Sequence, residues 1–312
     1  MTFERIRHRL HSGRPLVVDS DTAASFRARG VTLDSPGSLG SLLRERPLEV
    51  LDHYRAEVRS QVDVLSALTA DTTPRALAEV GMQHRAAQLT GRAVELALEA
   101  ASESDKPVAV AGVLGSDMVS PVASERLREE FAEHAERLAA AGCELLLARG
   151  QGSRLGLMAA VVAASRTELP TWAVLEYAEH EELTTSGGAT SLAEALSQAG
   201  AEVVLFEVPR VDSGLACLER FRVAFERHQI VPGVLLAAGH DSLRGFHDET
   251  SDPERWVERA VDLSAGGARV IGGGAGTTEA HTRCLAKALG SLHPSIPLRR
   301  SDAELDPGRS GW

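Results

Sequence analysis

Short apolar runs alternate along this chain with longer stretches in which apolar residues recur three and four positions apart. The runs at 16–19, 62–68, 108–113, 144–148, 171–175, 203–207, 231–237 and 269–272 read as eight β-strands. Between them, 75–101, 124–141, 191–199, 216–227, 254–264 and 279–289 carry the helical period, so the pattern predicts a helix after each strand. Leu145-Leu146-Leu147 and Val203-Val204-Leu205 are apolar on successive residues, which suits strands covered on both faces of a parallel sheet. Three helical stretches enter their strands the same way, through Ala141-Gly142-Cys143, Ala199-Gly200-Ala201 and Gly266-Gly267-Ala268. Glycine there supplies the left-handed residue that ends a helix.

Eight strand–helix units in 312 residues favour an α/β fold, the (β/α)8 TIM barrel, with an open doubly wound sheet as the alternative. The expected barrel covers 15–292, after an N-terminal extension at 1–14 and before a flexible tail at 293–312 that ends in Trp312.

Such barrels place their chemistry at the C-terminal strand ends, and this nominates candidates by position. Asp19 follows the first strand, Thr69 and Asp71 the second, Asp117 the third, Arg149 and Gln151 the fourth. Glu176, Glu207 and the pair His240-Asp241 follow the fifth, sixth and seventh, and the turn Gly272-Gly273-Gly274-Ala275-Gly276 closes the eighth. Each has a structural alternative. Asp19 could hold a substrate ammonium or accept hydrogen bonds within its turn. Arg149 could bind a carboxylate or phosphate, or pair with Glu176 or Glu207. The glycine turn lets backbone approach a ligand and leads into a helix whose N–H groups suit an anion, while His281 reads as a cap or packing residue. The loops at 177–182 and 240–249 read as lids or as solvated loops.

A chain 43% hydrophobic and 25% charged can bury a core. Its net charge of −11 repels phosphate backbones and anionic membranes, so neither nucleic acid nor a membrane is expected as partner. No apolar run approaches the roughly 18 residues of a membrane span, and the first residues lack the apolar core of a secretory signal, which together predict a cytoplasmic protein. Cys143, Cys217 and Cys284 form no C-x-x-C pair, so neither a disulfide framework nor a cysteine zinc finger is available.

The segment Gly266-Gly267-Ala268-Arg269-Val270-Ile271-Gly272-Gly273-Gly274-Ala275-Gly276-Thr277, followed by His281, resembles the homocysteine S-methyltransferase family, which carries Gly-Gly-Cys-Cys-Gly-Thr there. Weaker matches run in order at Leu16-Val17-Val18-Asp19, Val62-Asp63-Val64 with Thr69, Val110-Ala111-Gly112 and Ala141 to Leu147, so the resemblance extends from about residue 14 to 289. It implies a barrel that binds a small sulfur amino acid and holds zinc through three cysteine thiolates, one after strand six and two after strand eight. The zinc would keep the substrate thiol as a nucleophilic thiolate toward a methyl donor.

This chain departs from the pattern at that point. Gly274 and Ala275 stand for the adjacent cysteines, Glu207 for the strand-six cysteine, and Arg149 for an acidic residue at the end of strand four. The expectation is therefore a family member without cysteine-held zinc and with no other cofactor. Asp19, Thr69, Arg149, Glu207, Gly272 and Gly273 are its candidate substrate-binding residues for an amino-acid-like ligand. A zinc site from Glu207, His240 and Asp241 is the weaker alternative. Whether the chain is a methyltransferase or a non-catalytic barrel binding a metabolite or a protein stays open, as does a homo-oligomer.

Overall fold

Eight parallel strands close on themselves in this computed structural model, which describes residues 2–11, 14–33, 35–115, 124–150, 153–176, 186–238, 240–241, 246–247 and 251–292. The strands are β1 (Leu16–Val18), β2 (Val64–Ala67), β3 (Ala109–Leu114), β4 (Leu145–Arg149), β5 (Thr171–Glu176), β6 (Ala201–Val208), β7 (Val231–Leu236) and β10 (Val270–Gly273). Each pairs with its neighbours in order, and β10 closes the ring on β1 with Val18 opposite Gly272. The protein is thus a (β/α)8 TIM barrel. Between β7 and β10 lies a small antiparallel pair, β8 (His240–Asp241) and β9 (Phe246–His247).

The helices in chain order are α1 (Thr2–Leu10), α2 (Thr22–Ala28), α3 (Ser38–Glu45), α4 (Pro47–Arg59), α5 (Pro74–Ala78) and α6 (Ala86–Ser102). They continue with α7 (Ser124–Ala140), α8 (Arg154–Ser165), α9 (Ser186–Gln198), α10 (Val211–His228), α11 (Pro253–Ala265) and α12 (Glu279–Leu292). Three of them, α2, α3 and α4, fill the β1–β2 connection that the apolar pattern left unmarked. The reason is visible in α4, whose buried face mixes Val50, Leu51, Tyr54 and Val58 with His53 and Glu57. The expected helix at 75–101 is two helices, interrupted where Gly81 takes a positive φ of 69°. The pattern also missed α8, because apolar residues surround it and blur the period.

Two apolar cores result. The outer one lies between sheet and helices, while the inner one fills the barrel with Val18, Val64, Ala111, Leu147, Val174 and Leu205 among others. Phe3, Ile6 and Leu10 of α1 belong to the inner core; the segment at 2–10 therefore closes the N-terminal end of the barrel. Polar groups hold it there. Arg9 forks onto the Asp63 carboxylate at 2.6 and 3.0 Å, Lys106 adds a third contact at 2.8 Å, and the Val17 N–H donates to the same group at 2.9 Å. Burial pushes the Asp63 carboxyl upward, but Lys106 and Arg9 outweigh it and leave it below the usual range. Among the described residues no helix is long and apolar enough to cross a membrane. The tail at 293–312 lies outside the described residues.

Candidate functional site

At the C-terminal ends of the strands Asp19, Thr69, Arg149, Glu207 and Gly273 line one cavity of about 290 Å³, together with Ser20, Ser66, Asp71, Gly274 and Ala275. Apolar walls come from Leu39, Leu68, Val113 and Leu235. Topology brings these residues together, because each follows or ends a different strand of the closed ring.

Asp19 is 2% exposed and accepts hydrogen bonds from the Ser66 N–H and the Ser66 hydroxyl, both at 2.7 Å. Burial pushes its carboxyl up to about 6, against the pull of those bonds and of the Arg149 charge. Behind it, Ser20 hydrogen-bonds to Glu57, which reaches in from α4 and is fully buried. Burial and the nearby Asp19 carboxylate raise Glu57 to about 8, so at neutral pH it is held protonated. The polar chain continues from Ser20 to Ser25 at 3.3 Å, from Ser25 to Glu279 at 3.3 Å, and from Arg29 to Glu279 at 3.0 Å.

Arg149 crosses the mouth and donates to Glu207 at 2.8 Å, with Glu176 at 4.0 Å. β5 and β6 set Glu176 directly opposite Glu207, so one guanidinium serves two neighbouring strand ends. Thr69 has a different task. Its hydroxyl donates to the Val113 carbonyl at 3.0 Å and accepts the Val113 N–H at 2.8 Å, stitching the β2 loop to β3. Gly272 does not line the cavity; a Cβ there would lie 2.7 Å from that of Val18, so its small size serves the barrel interior.

The glycine turn differs from the anion site expected of it. Asp21 accepts the Gly276 N–H at 3.1 Å, the Gly274 N–H goes to Leu236 and the Gly273 N–H to Asp19 carbonyl oxygen. Gly276 is required by geometry, with φ of 81° and a would-be Cβ 1.9 Å from the Ala238 oxygen. His281 accepts the Thr278 N–H at 3.1 Å and packs edge-on against Trp256 at 5.4 Å, a cap and packing residue as its position suggested.

Ser66 and Glu57 escaped sequence reading. Ser66 interrupts an apolar strand on its inward side, a faint signal; Glu57 comes from a helix of the unmarked β1–β2 connection and carries none.

The donor set does not fit a thiolate-bound zinc. Glu207 is engaged by a cation, Gly274 and Ala275 offer no side-chain ligand, and among the described residues no group of three or more His, Cys, Asp or Glu could hold a metal. Cys143 precedes β4 at the opposite end and Cys217 lies in α10; burial raises their thiols to about 12 and about 11. The side chains of His240 and Asp241, and the candidates Asp117, Gln151 and the loop 177–182, lie outside the described residues.

Fold and mouth define a (β/α)8 barrel with a polar small-molecule cavity at its C-terminal face. Residues 16–289 match the family model described as homocysteine S-methyltransferase, and the chain belongs to that family. Among solved structures, the metallated homocysteine methyltransferase MmuM from Escherichia coli superimposes with a TM-score of 0.75 at 18% identity, covering 91% of this chain and 99% of that one. Its apo form gives 0.68 at 20% identity with the same coverage. A 3-dehydroquinate dehydratase from Geobacillus kaustophilus gives 0.53 at 10% identity, covering 90% and 93%. At these identities the likeness concerns the fold. No curated protein sequence matches the chain.

Proposed function

We propose that the protein binds a small amino acid at the barrel mouth and takes part in methyl transfer to or from its sulfur, without cysteine-held zinc. The observation that carries this reading is the convergence of buried Asp19 with the Arg149–Glu207 pair on one cavity of about 290 Å³. That volume lies at the small end for ligand pockets, a size suited to a single amino acid.

Asp19 offers a carboxylate to an ammonium, and Arg149 a planar fork to a carboxylate. Leu39, Leu68 and Val113 would face an apolar side chain. A carboxyl that titrates at about 6 is also suited to accept a proton near neutrality. Membership of the family supports the methyl-transfer chemistry. The absence of thiolate ligands at the mouth favours a second reading, a non-catalytic barrel that retains the binding site.

One experiment separates them. Titration calorimetry with methionine and homocysteine is combined with transfer of a labelled methyl group from S-methylmethionine to homocysteine, with chelator and with added zinc. Binding with chelator-resistant turnover supports the main reading; binding without turnover supports the second. No binding of either amino acid sinks both, and turnover that requires stoichiometric zinc overturns the zinc-free part.

A further inference from the structure

Glu57 is a buried acid with no cation to answer it. It lies fully buried on α4, where an ionised carboxyl is costly without a partner. The groups that face it are Asp19 and Ser20 from the end of β1 and Glu279 and Thr282 from α12. Arg29, at the end of α2, is taken by Glu279 at 3.0 Å. His53, one turn earlier on α4, is kept neutral by its own burial. The other elements packed on α4 are α3, α6 and β2. β2 carries no charged residue, Arg44, Glu45, Glu95 and Glu99 are exposed, and Arg92 pairs with Glu95 at 2.7 Å.

The hydrogen bonds around Glu57 account for its proton. The Ser25 hydroxyl donates to Glu279 at 3.3 Å, and the Ser20 and Ser25 hydroxyls lie 3.3 Å apart. Each hydroxyl has a single hydrogen to give. With that of Ser25 spent on Glu279, Ser20 donates to Ser25, and the bond between Ser20 and Glu57 then takes its hydrogen from the carboxyl. All of these bonds form together only when Glu57 is protonated, in keeping with a group raised to about 8. Ser20 lines the cavity at one end of this chain. At the other end the Glu279 side chain is 24% exposed, so a proton has a way to water that avoids the mouth.

Burial is the first cause that holds the proton on Glu57, and the Asp19 carboxylate is the second. An ammonium seated on Asp19 cancels the second cause and leaves the first. We propose that Glu57 is a proton store linked to the cavity: an amino acid that places its ammonium on Asp19 makes Glu57 release its proton through Ser20 and Ser25 toward Glu279 and water. One O–H bond of the carboxyl breaks, the solvent gains one proton, and the carboxylate left behind adds a second negative charge beside the ammonium. A ligand with a carboxylate but no ammonium leaves Asp19 charged and Glu57 protonated, so the link favours amino acids over the corresponding simple acids. The inference rests on the reading of the cavity as an amino-acid site and holds whether or not methyl transfer follows.

Calorimetric titration of the full chain with methionine in HEPES and in Tris tests it, because a binding heat that differs with the ionisation enthalpy of the buffer counts the protons released. Methionine suits the purpose, since its thioether has no acidic hydrogen. The expected result is release of roughly half a proton per methionine bound at about pH 7.5, with an affinity that rises about threefold from about pH 7 to about pH 8. Glu57→Gln should bind methionine without that release, and its affinity should change by less than about 1.5-fold over the same range. Infrared difference spectra of the wild-type protein need no variant: the carbonyl stretch of a neutral carboxyl should be present in the free protein and weaken as methionine is added. Binding without proton release overturns the proposal and leaves the amino-acid reading standing. So does a release that survives Glu57→Gln, or a free protein without the neutral-carboxyl band. Failure of methionine to bind removes the reading itself and the proposal with it.

Discussion

At the scale of single residues, the mouth is governed by the pair Arg149 and Glu207, whose side chains are 19% and 4% exposed. Removing one member leaves the other desolvated without its partner, which costs more than the pair itself contributes. Arg149→Met is expected to destabilise the fold by about 1–3 kcal/mol, scaled down from a fully buried pair because the guanidinium keeps some contact with water. Combining it with Glu207→Leu should recover at least half of that loss. Urea unfolding of both single variants and of the double variant checks this, and losses that simply add would show that the two groups are not coupled. The same pair explains the departure from the family's ligand pattern in physical terms. A carboxylate stands at the end of β6, and its charge is answered from β4, within the sheet.

At the scale of elements, the N-terminal helix is the part whose importance its sequence hides. α1 is rich in arginine, yet Phe3, Ile6 and Leu10 fall on one face and enter the barrel core. Ile6 is 1% exposed, so Ile6→Ala should cost about 2–4 kcal/mol, whereas Glu4→Ala on the exposed side should stay within about 0.5 kcal/mol. Chemical denaturation of both distinguishes a plug from an appendage; equal small effects would make α1 an appendage. The eight strands were legible from the sequence because strands covered on both faces are apolar without interruption and glycine caps announce them. Asp19, Arg149 and Glu207 were legible because a barrel sends every strand end to one face. What stayed hidden depended on contacts between distant segments. His53 and Glu57 lie on a buried face of α4 that the apolar pattern left unmarked, because that face is covered only when Phe26 of α2 and the helix α12 pack on it, and the period of α8 is blurred by the exposed Leu155 and Val162. The turn after β10 was legible as glycine-rich, but its N–H groups are engaged by Asp21, Leu236 and Asp19, which only the folded chain reveals.

At the scale of the whole molecule, buried titratable groups set the pH at which the fold is most stable. Burial lowers His53 and His134 to about 4, while it raises Asp19 to about 6 and Glu57 to about 8. Between about pH 4.5 and 6 the two sets oppose each other: the unfolded chain gains protons on the two histidines that the native state refuses, while native Asp19 and Glu57 keep protons the unfolded chain has released, so stability changes little there. Above about 6.5 the histidines no longer contribute. Native Glu57 still keeps a proton that the unfolded chain has released, so stability also falls as the pH rises toward 8. Asp63, held low by Lys106 and Arg9, adds stability that is lost only under more acidic conditions. A plateau from about pH 5 to about 6.5 follows, with a decline of roughly 1 kcal/mol by pH 8 at less than about 1.4 kcal/mol per unit. Glu57→Gln removes the group that titrates in that interval and should flatten the alkaline decline, while below about pH 6 it leaves the histidines less opposed, so that stability falls more steeply with acid. Unfolding free energies at pH 6.5 and 8 decide it, and an unchanged alkaline slope would exclude Glu57 as its source. The plug has a consequence in time as well. Its seat includes Val270 of β10, and Arg269 holds the Leu10 carbonyl oxygen at 3.1 Å, so a segment made before the barrel has no finished berth until the last barrel strand emerges. Such a chain must keep greasy residues waiting while the whole barrel is made, and its closing step is a contact between positions 259 residues apart, the slowest kind for a polypeptide to find.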